Sequence, residues 1–390
     1  RDDVESRGLG DVYKRQVIKL GVVLSVVLFC IGIAFYGFAR LSMADKESRV
    51  DVFEFIPKDC AGILETDNID NFMHGFSQAA YSSQLDTLHR AGLMNDILSD
   101  LSRYSSAAAH GLSYQMNHVV FSFHYPHTAM DVVAYFRIGK EGKHQLIEAV
   151  KGKHGADFVP KKEIYRGKKI EIYPLSSTKY LSVYTTDGLV VVSYQKKLIE
   201  QVIDAVKDNS SLREDSVFIS IHHPQPASFI TIYGRTPSVP FLGKESCHSW
   251  SEYDIHLNSE VFYLSGQMKE EQADCLDCML QAVNTIPVVS EKDSLLVVSG
   301  HERVDSCISK VIASPSHTLF DECVSNLSRD ASYIMVTDME KVAASPEQFV
   351  SYLPPFLIRH ADLFRSFILS IQFTEVNNRL SHIFVFTYKE

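Results

Sequence analysis

Apolar positions along the chain predict helices in some stretches and strands in others. Helical spacing is clearest over residues 84–103, where the apolar positions are Leu85, Leu88, Met94, Ile97, Leu98 and Leu101. Side chains three and four residues apart share one face of a helix, so this stretch predicts an amphipathic helix. Residues 145–154 predict a second, shorter helix.

Strand patterns lie on both sides of that second helix. They are rich in β-branched and aromatic residues and cover 119–123, 132–136, 170–173, 180–184 and 189–193. The first two predict a strand pair around a turn, and the other three predict a meander. Asp187-Gly188 lies before the last strand and is a dipeptide that two-residue hairpin turns favour.

A run of uncharged residues, Leu20–Ala39, precedes all of these elements. At about 1.5 Å rise per residue, a helix of this length spans the roughly 30 Å hydrocarbon layer of a membrane. The run is longer than the apolar stretch of a cleaved signal, and Phe35, Tyr36 and Phe38 occupy the place where a peptidase requires small residues. A buried core helix is a third alternative, but such helices are rarely apolar on all sides. The sequence therefore predicts an uncleaved anchor.

The residues around this run bear on topology. Lysine and arginine flank it on both sides, so the positive-inside rule does not decide the orientation. A first span near the N-terminus acts as a signal anchor, and the long segment after it is translocated largely regardless of charge. The hexapeptide Asp11–Gln16 resembles a translated sequencing-adapter sequence, so residues 1–16 are predicted to be an artefact.

Two internal echoes indicate a duplication. Residues 187–194 and 293–300 both show a turn, a buried strand and then a helix-like run. Residues 57–67 and 328–338 both show a charged turn, a strand and then Thr-Asp, whose aspartate can cap a helix. Residues 214–219 are a fainter third copy. The spacing is too irregular for a solenoid, whose units repeat at a fixed period.

These patterns predict an α+β fold. An N-terminal transmembrane helix is followed by two related lobes of mainly antiparallel sheet, with helices packed on one face. The predicted domains are the artefact at 1–16, the anchor at 17–40, a first lobe at 41–208 and a second lobe at 209–390.

Charge narrows the range of partners. The chain has a formal net charge of −10, and residues 1–16 are neutral overall. Residues 17–40 add only Lys19 and Arg40, so the remainder carries −12. Nucleic acids and anionic lipid surfaces need a basic patch, and the longest basic clusters here are pairs of lysines. No nucleic-acid partner is predicted.

Cysteines supply the sharpest chemical motif. Six of the seven lie outside the apolar run, an even number that permits disulfides in an exported chain. Cys275 and Cys278 form a Cys-x-x-Cys pair, which can bind zinc or exchange disulfides. Residues 270–283 predict a continuous helix, however, whereas a reactive pair follows a strand directly. Two packed cysteines, a disulfide and a metal or redox site remain the alternatives, and Cys275 and Cys278 are only weak metal candidates.

Other motifs fall short of a catalytic site. Ser77 lies in a near match to the nucleophile elbow, but inside a helix predicted to begin near Asn68. The pairs His124/His127 and His222/His223 lack the spacing of metal ligands and are predicted turn histidines. We therefore predict no enzymatic activity, no bound cofactor and no catalytic residue.

The order of these segments resembles a family of bacterial envelope proteins known only as a domain of unknown function. Its members have an N-terminal anchor, then a strand entry like Phe55–Cys60, and later a strand like Asp187–Ser193 followed by a helix. Cys60 stands where the family has a small alanine. The resemblance covers about residues 20–390 and implies export, but it implies no chemistry.

Together these observations predict a single-pass protein of the bacterial inner membrane, held by residues 20–39, with its globular part in the periplasm. Its expected role is interaction or structure in the envelope, with a protein, glycan or lipid as partner. The alternative is a periplasmic module that binds a small apolar or lipid-like ligand in a cleft between the lobes.

Overall fold

The computed structural model describes residues 50–66, 69–85, 119–125, 131–138, 159–174, 180–222, 230–235, 239–242, 249–270, 273–315, 318–377 and 379–389. The predicted anchor at 20–39, most of the helix predicted at 84–103 and the helix predicted at 145–154 lie outside these ranges. Within them, no helix has the length and apolar character needed to cross a membrane.

Within the described ranges, fifteen strands form one sheet in which every neighbouring pair is antiparallel. The strands are β1 Gly62–Thr66, β2 Val119–Phe123, β3 Val132–Arg137, β4 Lys161–Tyr165, β5 Lys168–Pro174, β6 Tyr180–Thr186, β7 Leu189–Ser193, β8 Ile230–Gly234, β9 Ser249–Leu257, β10 Val261–Glu270, β11 Val289–Glu291, β12 Leu295–Ser299, β13 Tyr333–Asp338, β14 Phe367–Val376 and β15 Arg379–Tyr388. Their spatial order is β11-β12-β13-β14-β15-β10-β9-β8-β1-β2-β3-β7-β6-β5-β4.

Helices occupy several connections between strands. They are α1 Ile69–Gln78, α2 Ser82–Leu85, α3 Lys196–Lys207, α4 Ser216–Ile221, α5 Ala273–Thr285, α6 His301–Ile312, α7 Leu319–Ser325, α8 Met339–Ala344 and α9 Pro355–Arg359. Short 3-10 turns lie at Val52–Glu54, Leu212–Glu214, Pro240–Leu242, Pro346–Gln348 and Ala361–Phe364.

The strand pair predicted at 119–123 and 132–136 is confirmed as β2 and β3, which pair directly. The hairpin turn is confirmed as well. Thr186 of β6 pairs with Leu189 of β7 across Asp187-Gly188, and Gly188 has a φ of 80°. Glycine reaches that left-handed region without the steric cost that a Cβ atom brings.

Helices pack on both faces of the sheet, so the prediction that they cover one face is wrong. On one face, α5 and α8 belong to a core with Val297, Met335 and Ile371. On the other face, α6 and α7 pack over Ile334 and Val336. The physical reason lies in the strands. All five residues of β12 are buried, as are those of β7, and a strand buried on both sides needs cover on both sides.

The prediction of two separate lobes is also wrong. β8 pairs with β9 along five residues, and the sheet runs through that contact without a break. Residues Asp51–Glu390 accordingly form one compact unit. The boundary predicted after residue 208 falls inside this unit, between α3 and the 3-10 turn Leu212–Glu214.

Two stretches of the sheet nevertheless share part of their neighbour order. β1-β2-β3 and β13-β14-β15 are both runs of three consecutive strands, and each is followed in the sheet by a hairpin in reverse order, β7-β6 and β10-β9. In this match β1 corresponds to β13, and these are the strands of the second sequence echo. The first echo couples β7 with β12, which hold different positions relative to these runs. Duplication itself stays a prediction.

The outer strand β4 carries charge along its exposed edge. Lys161 and Lys196 both contact Glu163, at 2.7 and 2.8 Å between nitrogen and oxygen. Arg166 in the turn to β5 binds Asp204 and Asp208 of α3 at 2.8 and 2.7 Å. These ion pairs connect the β4–β5 hairpin to α3. At the opposite edge, β11 has only three residues.

A close approach of two strands marks the middle of the sheet. An ideal Cβ built on Gly266 of β10 would lie 1.9 Å from the carbonyl oxygen of Glu252 in β9. The same carbonyl accepts a hydrogen bond from Nε2 of His382, which pairs with Gly266 from β15, at 2.7 Å. His382 is fully buried and stacks on Tyr253 with ring centroids 4.5 Å apart.

Burial of His382 makes stability depend on pH. Desolvation lowers the pKa of His382 from its usual value near 6.5 to about 4, because the charged imidazolium loses its water. Between pH 6.5 and pH 4, His382 is protonated in the unfolded chain but stays neutral in the folded chain. The free energy of unfolding therefore falls as the pH drops from 6.5 towards 4, with about 3 kcal/mol attributable to this group.

Urea unfolding at pH 6.5 and pH 4.5 measures the effect, and His382→Gln is the matched variant because its amide keeps a donor but does not titrate. We expect the wild-type chain to lose more stability than the variant across this interval. Equal losses in the two proteins would show that His382 does not carry the dependence.

Candidate functional site

A cavity of about 360 Å³ opens beside the junction of β8 and β9. Its lining combines the turn before β1, the start of α4 and the facing ends of the two strands. It includes Lys58, Asp59, Glu214, Asp215, Arg235 and Trp250. We call this cavity the junction pocket. Its volume lies within the range typical of sites for small ligands.

Backbone hydrogen bonds hold the two walls of the junction pocket together. The amide of Lys58 donates to the carbonyl of Ser210 at 3.0 Å, and the amide of Leu212 donates to the carbonyl of Ile56 at 2.8 Å. Pro57 and Ser211 form an isolated antiparallel bridge between these contacts. The turn before β1 is therefore fixed against the segment that leads into α4.

Arg235 forms the floor of the pocket. Its Nε donates to the carbonyl of Cys60 at 2.9 Å, and a terminal nitrogen donates to the carbonyl of Lys58. The same nitrogen lies 3.0 Å from Oδ2 of Asp215. The guanidinium carbon also lies 4.8 Å from the ring centroid of Trp250, within the range of a cation–π contact.

Asp215 completes the floor with both of its carboxylate oxygens. Oδ1 accepts from the amides of Val217 and Phe218 at 3.1 and 3.0 Å, which caps α4. Oδ2 accepts from Nε1 of Trp250 at 3.2 Å in addition to Arg235. Trp250 is 1% exposed, so this carboxylate satisfies an indole N–H that is hidden from water.

The rim of the junction pocket differs from its floor. Lys58, Asp59 and Glu214 are exposed, and within the described part of the chain their charged heads form no ion pair. One ammonium and two carboxylates therefore line the cavity without an ion-pair partner among the described residues. A ligand can pair with them without first breaking a contact of the fold.

Cys60 lies beneath the pocket and is unreactive as a nucleophile. It is fully buried, and desolvation raises the pKa of its thiol to about 12. The thiolate is the nucleophilic form of cysteine, and at neutral pH this thiol stays protonated. Cys60 therefore contributes packing rather than reactivity to the site.

A second arrangement of polar groups lies on the same side of the sheet. Ser122 Oγ is 2.8 Å from Nε2 of His124 and 3.2 Å from the hydroxyl of Tyr135. A serine beside a histidine is the core of many nucleophilic sites. Here Ser122 is fully buried and His124 is 5% exposed, and burial lowers the pKa of His124. The arrangement satisfies polar groups in the core.

The histidine predictions come out differently from one residue to the next. His124, predicted in a turn, is a core residue at the end of β2. His222 closes α4 among aromatic rings, with Phe53 at 4.3 Å between centroids, and its Nε2 lies 3.1 Å from Glu65. His127 and His223 lie outside the described residues.

Ser77 behaves as the sequence predicts. It lies inside α1, which begins at Ile69, and its hydroxyl donates to the carbonyl of His74 at 2.8 Å. Helical backbone around Ser77 differs from the strained strand-to-helix turn that a nucleophile elbow needs.

The two weak metal candidates have different chemical states. Cys275 is disulfide-bonded, whereas Cys278 is a free thiol. A sulfur in a disulfide is not a thiolate and does not bind zinc as a cysteine ligand does. Across the described residues, no group of three or more His, Cys, Asp and Glu side chains is arranged to hold a metal ion.

The residues of the junction pocket were missed by sequence reasoning. Residues 214–219 were predicted as a faint copy of a strand entry, and this is wrong because Ser216–Ile221 form a helix. Asp215 followed by a serine and apolar residues is a helix N-cap signal that could have shown this. Trp250 is the single tryptophan of the chain, and Arg235 carries no local signal because its partners are distant in sequence.

Comparison of the chain with family models, with curated proteins and with solved structures finds no match in any of the three. The resemblance to an envelope family therefore stays a prediction, and the function has to follow from the junction pocket itself.

Proposed function

We propose that this chain is a binding protein of the bacterial envelope, tethered through residues 20–39, and that the junction pocket holds its ligand. The observation that carries the proposal is the contrast between floor and rim. Arg235, Asp215 and Trp250 are held by mutual contacts, whereas Lys58 and Glu214 line the cavity and form no ion pair with any residue that the structure describes. A rigid floor below free charges is the arrangement of a preformed ligand site.

The same groups favour binding over catalysis. Asp215 and Arg235 form an ion pair with each other at 3.0 Å. A general base must have a free lone pair within reach of the proton it removes, and the lone pairs of Asp215 are already engaged. The buried pair Ser122 and His124 is closed to a substrate by its own packing.

The charges of the rim favour a polar ligand over the apolar or lipid-like one expected from the sequence. Two carboxylates and one ammonium give the rim an excess of negative charge. Burying them against an apolar molecule would strip their water without a compensating contact. A small ligand that carries an amine, alone or together with a carboxylate, matches this set of charges.

Three probes of similar size and different charge test the proposal on the full chain: putrescine, glycine and succinate. We expect putrescine or glycine to raise the melting temperature and succinate to leave it unchanged. Glu214→Gln should weaken the binding of the active probe by about two- to fivefold, the usual effect of removing one exposed ion pair. Glu347→Gln, an exposed glutamate outside the pocket, is the control and should bind like the wild type.

The outcomes separate clearly. A melting temperature raised by succinate alone would show that the pocket prefers an anion, which contradicts the proposed amine ligand. A response that is unchanged in Glu214→Gln would place the ligand elsewhere, and no response to any probe would remove the support for an amine ligand.

The tether is tested separately. Protease treatment of intact spheroplasts should digest the globular part, and carbonate extraction should leave the chain in the membrane fraction. Digestion only after lysis would overturn the outward orientation, and release by carbonate would overturn the anchor.

A further inference from the structure

Folding brings together lysines that are separated along the sequence. They occur there only in pairs, and three of these pairs meet at one end of the sheet. Lys161–Lys162 belong to β4, the last strand in the sheet order, and Lys168–Lys169 belong to β5, which pairs with it. Lys196–Lys197 begin α3, and the ammonium of Lys196 lies 2.8 Å from a carboxylate oxygen of Glu163 in β4. We call β4 and β5, residues 161–174, the basic hairpin.

The charge of the basic hairpin is opposite to that of the chain. Residues 161–171 contain five basic and two acidic side chains, a net charge of +3, whereas the whole chain carries −10. Residues 196–208, which contain α3, have three charges of each sign and leave the excess unchanged. The sequence therefore shows an acidic protein, and the fold gives it one basic end.

Two lysines of the basic hairpin are free to bind an external anion. Lys162 and Lys168 are exposed, and neither forms an ion pair with any residue that the structure describes. Lys162 lies opposite Glu171 in the ladder, but the carboxylate of Glu171 contacts Lys169 instead. Both ammonium groups can therefore pair with a partner without breaking a contact of the fold.

An exposed isoleucine lies among these lysines. Ile164 is 72% exposed. It is directly opposite Lys169 in β5 and two residues after Lys162, so the three side chains share one face of the hairpin. Val159, just before β4, is 74% exposed as well. Apolar side chains flanked by lysines are typical of surfaces that bind anionic bilayers, where the lysines reach the head groups and the apolar groups enter the acyl boundary.

We propose that the basic hairpin docks on an anionic lipid surface. Lys162 and Lys168 contact the lipid phosphates, and Ile164 enters the boundary between head groups and acyl chains. Charge complementarity selects an anionic partner, and the isoleucine selects a bilayer over a soluble polyanion, which has no apolar phase to receive it. The contact is separate from the junction pocket, because six strands lie between β4 and β8.

A tryptophan at the centre of the basic hairpin reports the contact on the full chain. Trp250 is the single native tryptophan and is buried, so its emission is a constant background for the variant Ile164→Trp. With vesicles of equal parts phosphatidylcholine and phosphatidylglycerol, we expect the emission to shift to shorter wavelength and iodide quenching to fall by about threefold, because the indole leaves water. Vesicles of phosphatidylcholine alone should leave both unchanged.

This readout is local, so it holds whether or not residues 20–39 also enter the bilayer. Ile312→Trp is the matched control, because Ile312 is an exposed isoleucine on α6, outside the basic hairpin. Its emission should be the same with both kinds of vesicle. A shift of equal size in the two variants would overturn the proposal, since the whole surface would then contact lipid.

Removal of the free charges tests the role of the lysines. Each lysine near an anionic surface favours the bound state by about fivefold, so Lys162→Gln with Lys168→Gln should leave less than about a tenth of the shift at the lipid composition that gives half of it in the Ile164→Trp parent. Lys292→Gln with Lys310→Gln removes two exposed lysines elsewhere and should keep most of the shift.

The remaining outcomes contradict the proposal in different ways. The same Ile164→Trp emission with both kinds of vesicle would show that the basic hairpin does not bind anionic lipid. Equal losses in the two lysine double variants would assign the binding to overall charge. A shift with soluble dextran sulfate but not with phosphatidylglycerol vesicles would make the partner an acidic polysaccharide instead.

Discussion

Gly266→Ala is expected to destabilise the chain by at least about 3 kcal/mol, more than any other single methyl added to the glycines of the sheet. The new Cβ would meet a backbone carbonyl at 1.9 Å, and backbone cannot rotate away as a side chain can. Relief requires β9 and β10 to separate, which also moves the Glu252 oxygen away from buried His382. A hydrogen bond inside the core is then lost together with the strand contact.

Two other glycines supply matched controls for this substitution. Gly234 in β8 and Gly75 in α1 have no atom within 4 Å of an added Cβ. Gly75→Ala should stabilise the chain by about 0.5–1 kcal/mol, because alanine costs less backbone entropy in a helix. Urea unfolding of the three variants measures the differences. If Gly266→Ala unfolds at the same urea concentration as Gly234→Ala, the strands do not approach as closely as the structure has them.

Asp215→Ala is expected to cost about 3 kcal/mol, because one carboxylate serves three roles. Its removal leaves the amides at the start of α4 without their cap. It also leaves Nε1 of buried Trp250 without an acceptor and the guanidinium of Arg235 without its counter-ion. The loss at Trp250 is the largest, because its buried indole N–H is left without an acceptor. The Arg235 side chain is 28% exposed and keeps its carbonyl partner at Cys60, so its loss is smaller.

Thr318→Ala isolates the capping part of this effect. Thr318 caps α7 in a capping box but holds no buried indole or arginine, so its loss should cost about 1 kcal/mol. Asp215→Asn keeps an acceptor for the cap but places an NH2 donor where Oδ2 accepts from Trp250 and Arg235. It should therefore cost less than Asp215→Ala by about the contribution of the cap alone. Thermal unfolding ranks all three. Equal losses in Asp215→Ala and Thr318→Ala would mean that the contacts to Arg235 and Trp250 contribute nothing.

Local pattern was enough to predict several strands and one turn. β2, β3 and β7 are dense in β-branched residues, and Asp187-Gly188 has the chemistry that a two-residue turn requires. These features depend on neighbours in sequence, which is why composition and spacing reveal them. The helix around Ser77 was predictable for the same reason.

Features that depend on distant residues were predicted wrongly or missed. The continuous burial of Leu295–Ser299 marks a strand covered on both faces, and this pattern was in the sequence but was assigned to a one-sided sheet. Nothing local shows that β8 pairs with β9, and this single contact turns two expected lobes into one sheet. Arg235 and Asp215 are twenty residues apart, so the floor of the junction pocket exists only after folding.

The charged outer edge of β4 and the short strand β11 affect how sheets of different molecules can associate. An open sheet offers unpaired backbone groups at both ends, and a second sheet can extend it there, as happens in fibrils. Lys161 and Glu163 disfavour such extension at one end. At the other end, β11 has only three residues, so few backbone groups are available to pair with a further strand. Among the described residues, both ends of the sheet therefore disfavour the addition of a further strand, which favours recognition of a partner through side chains.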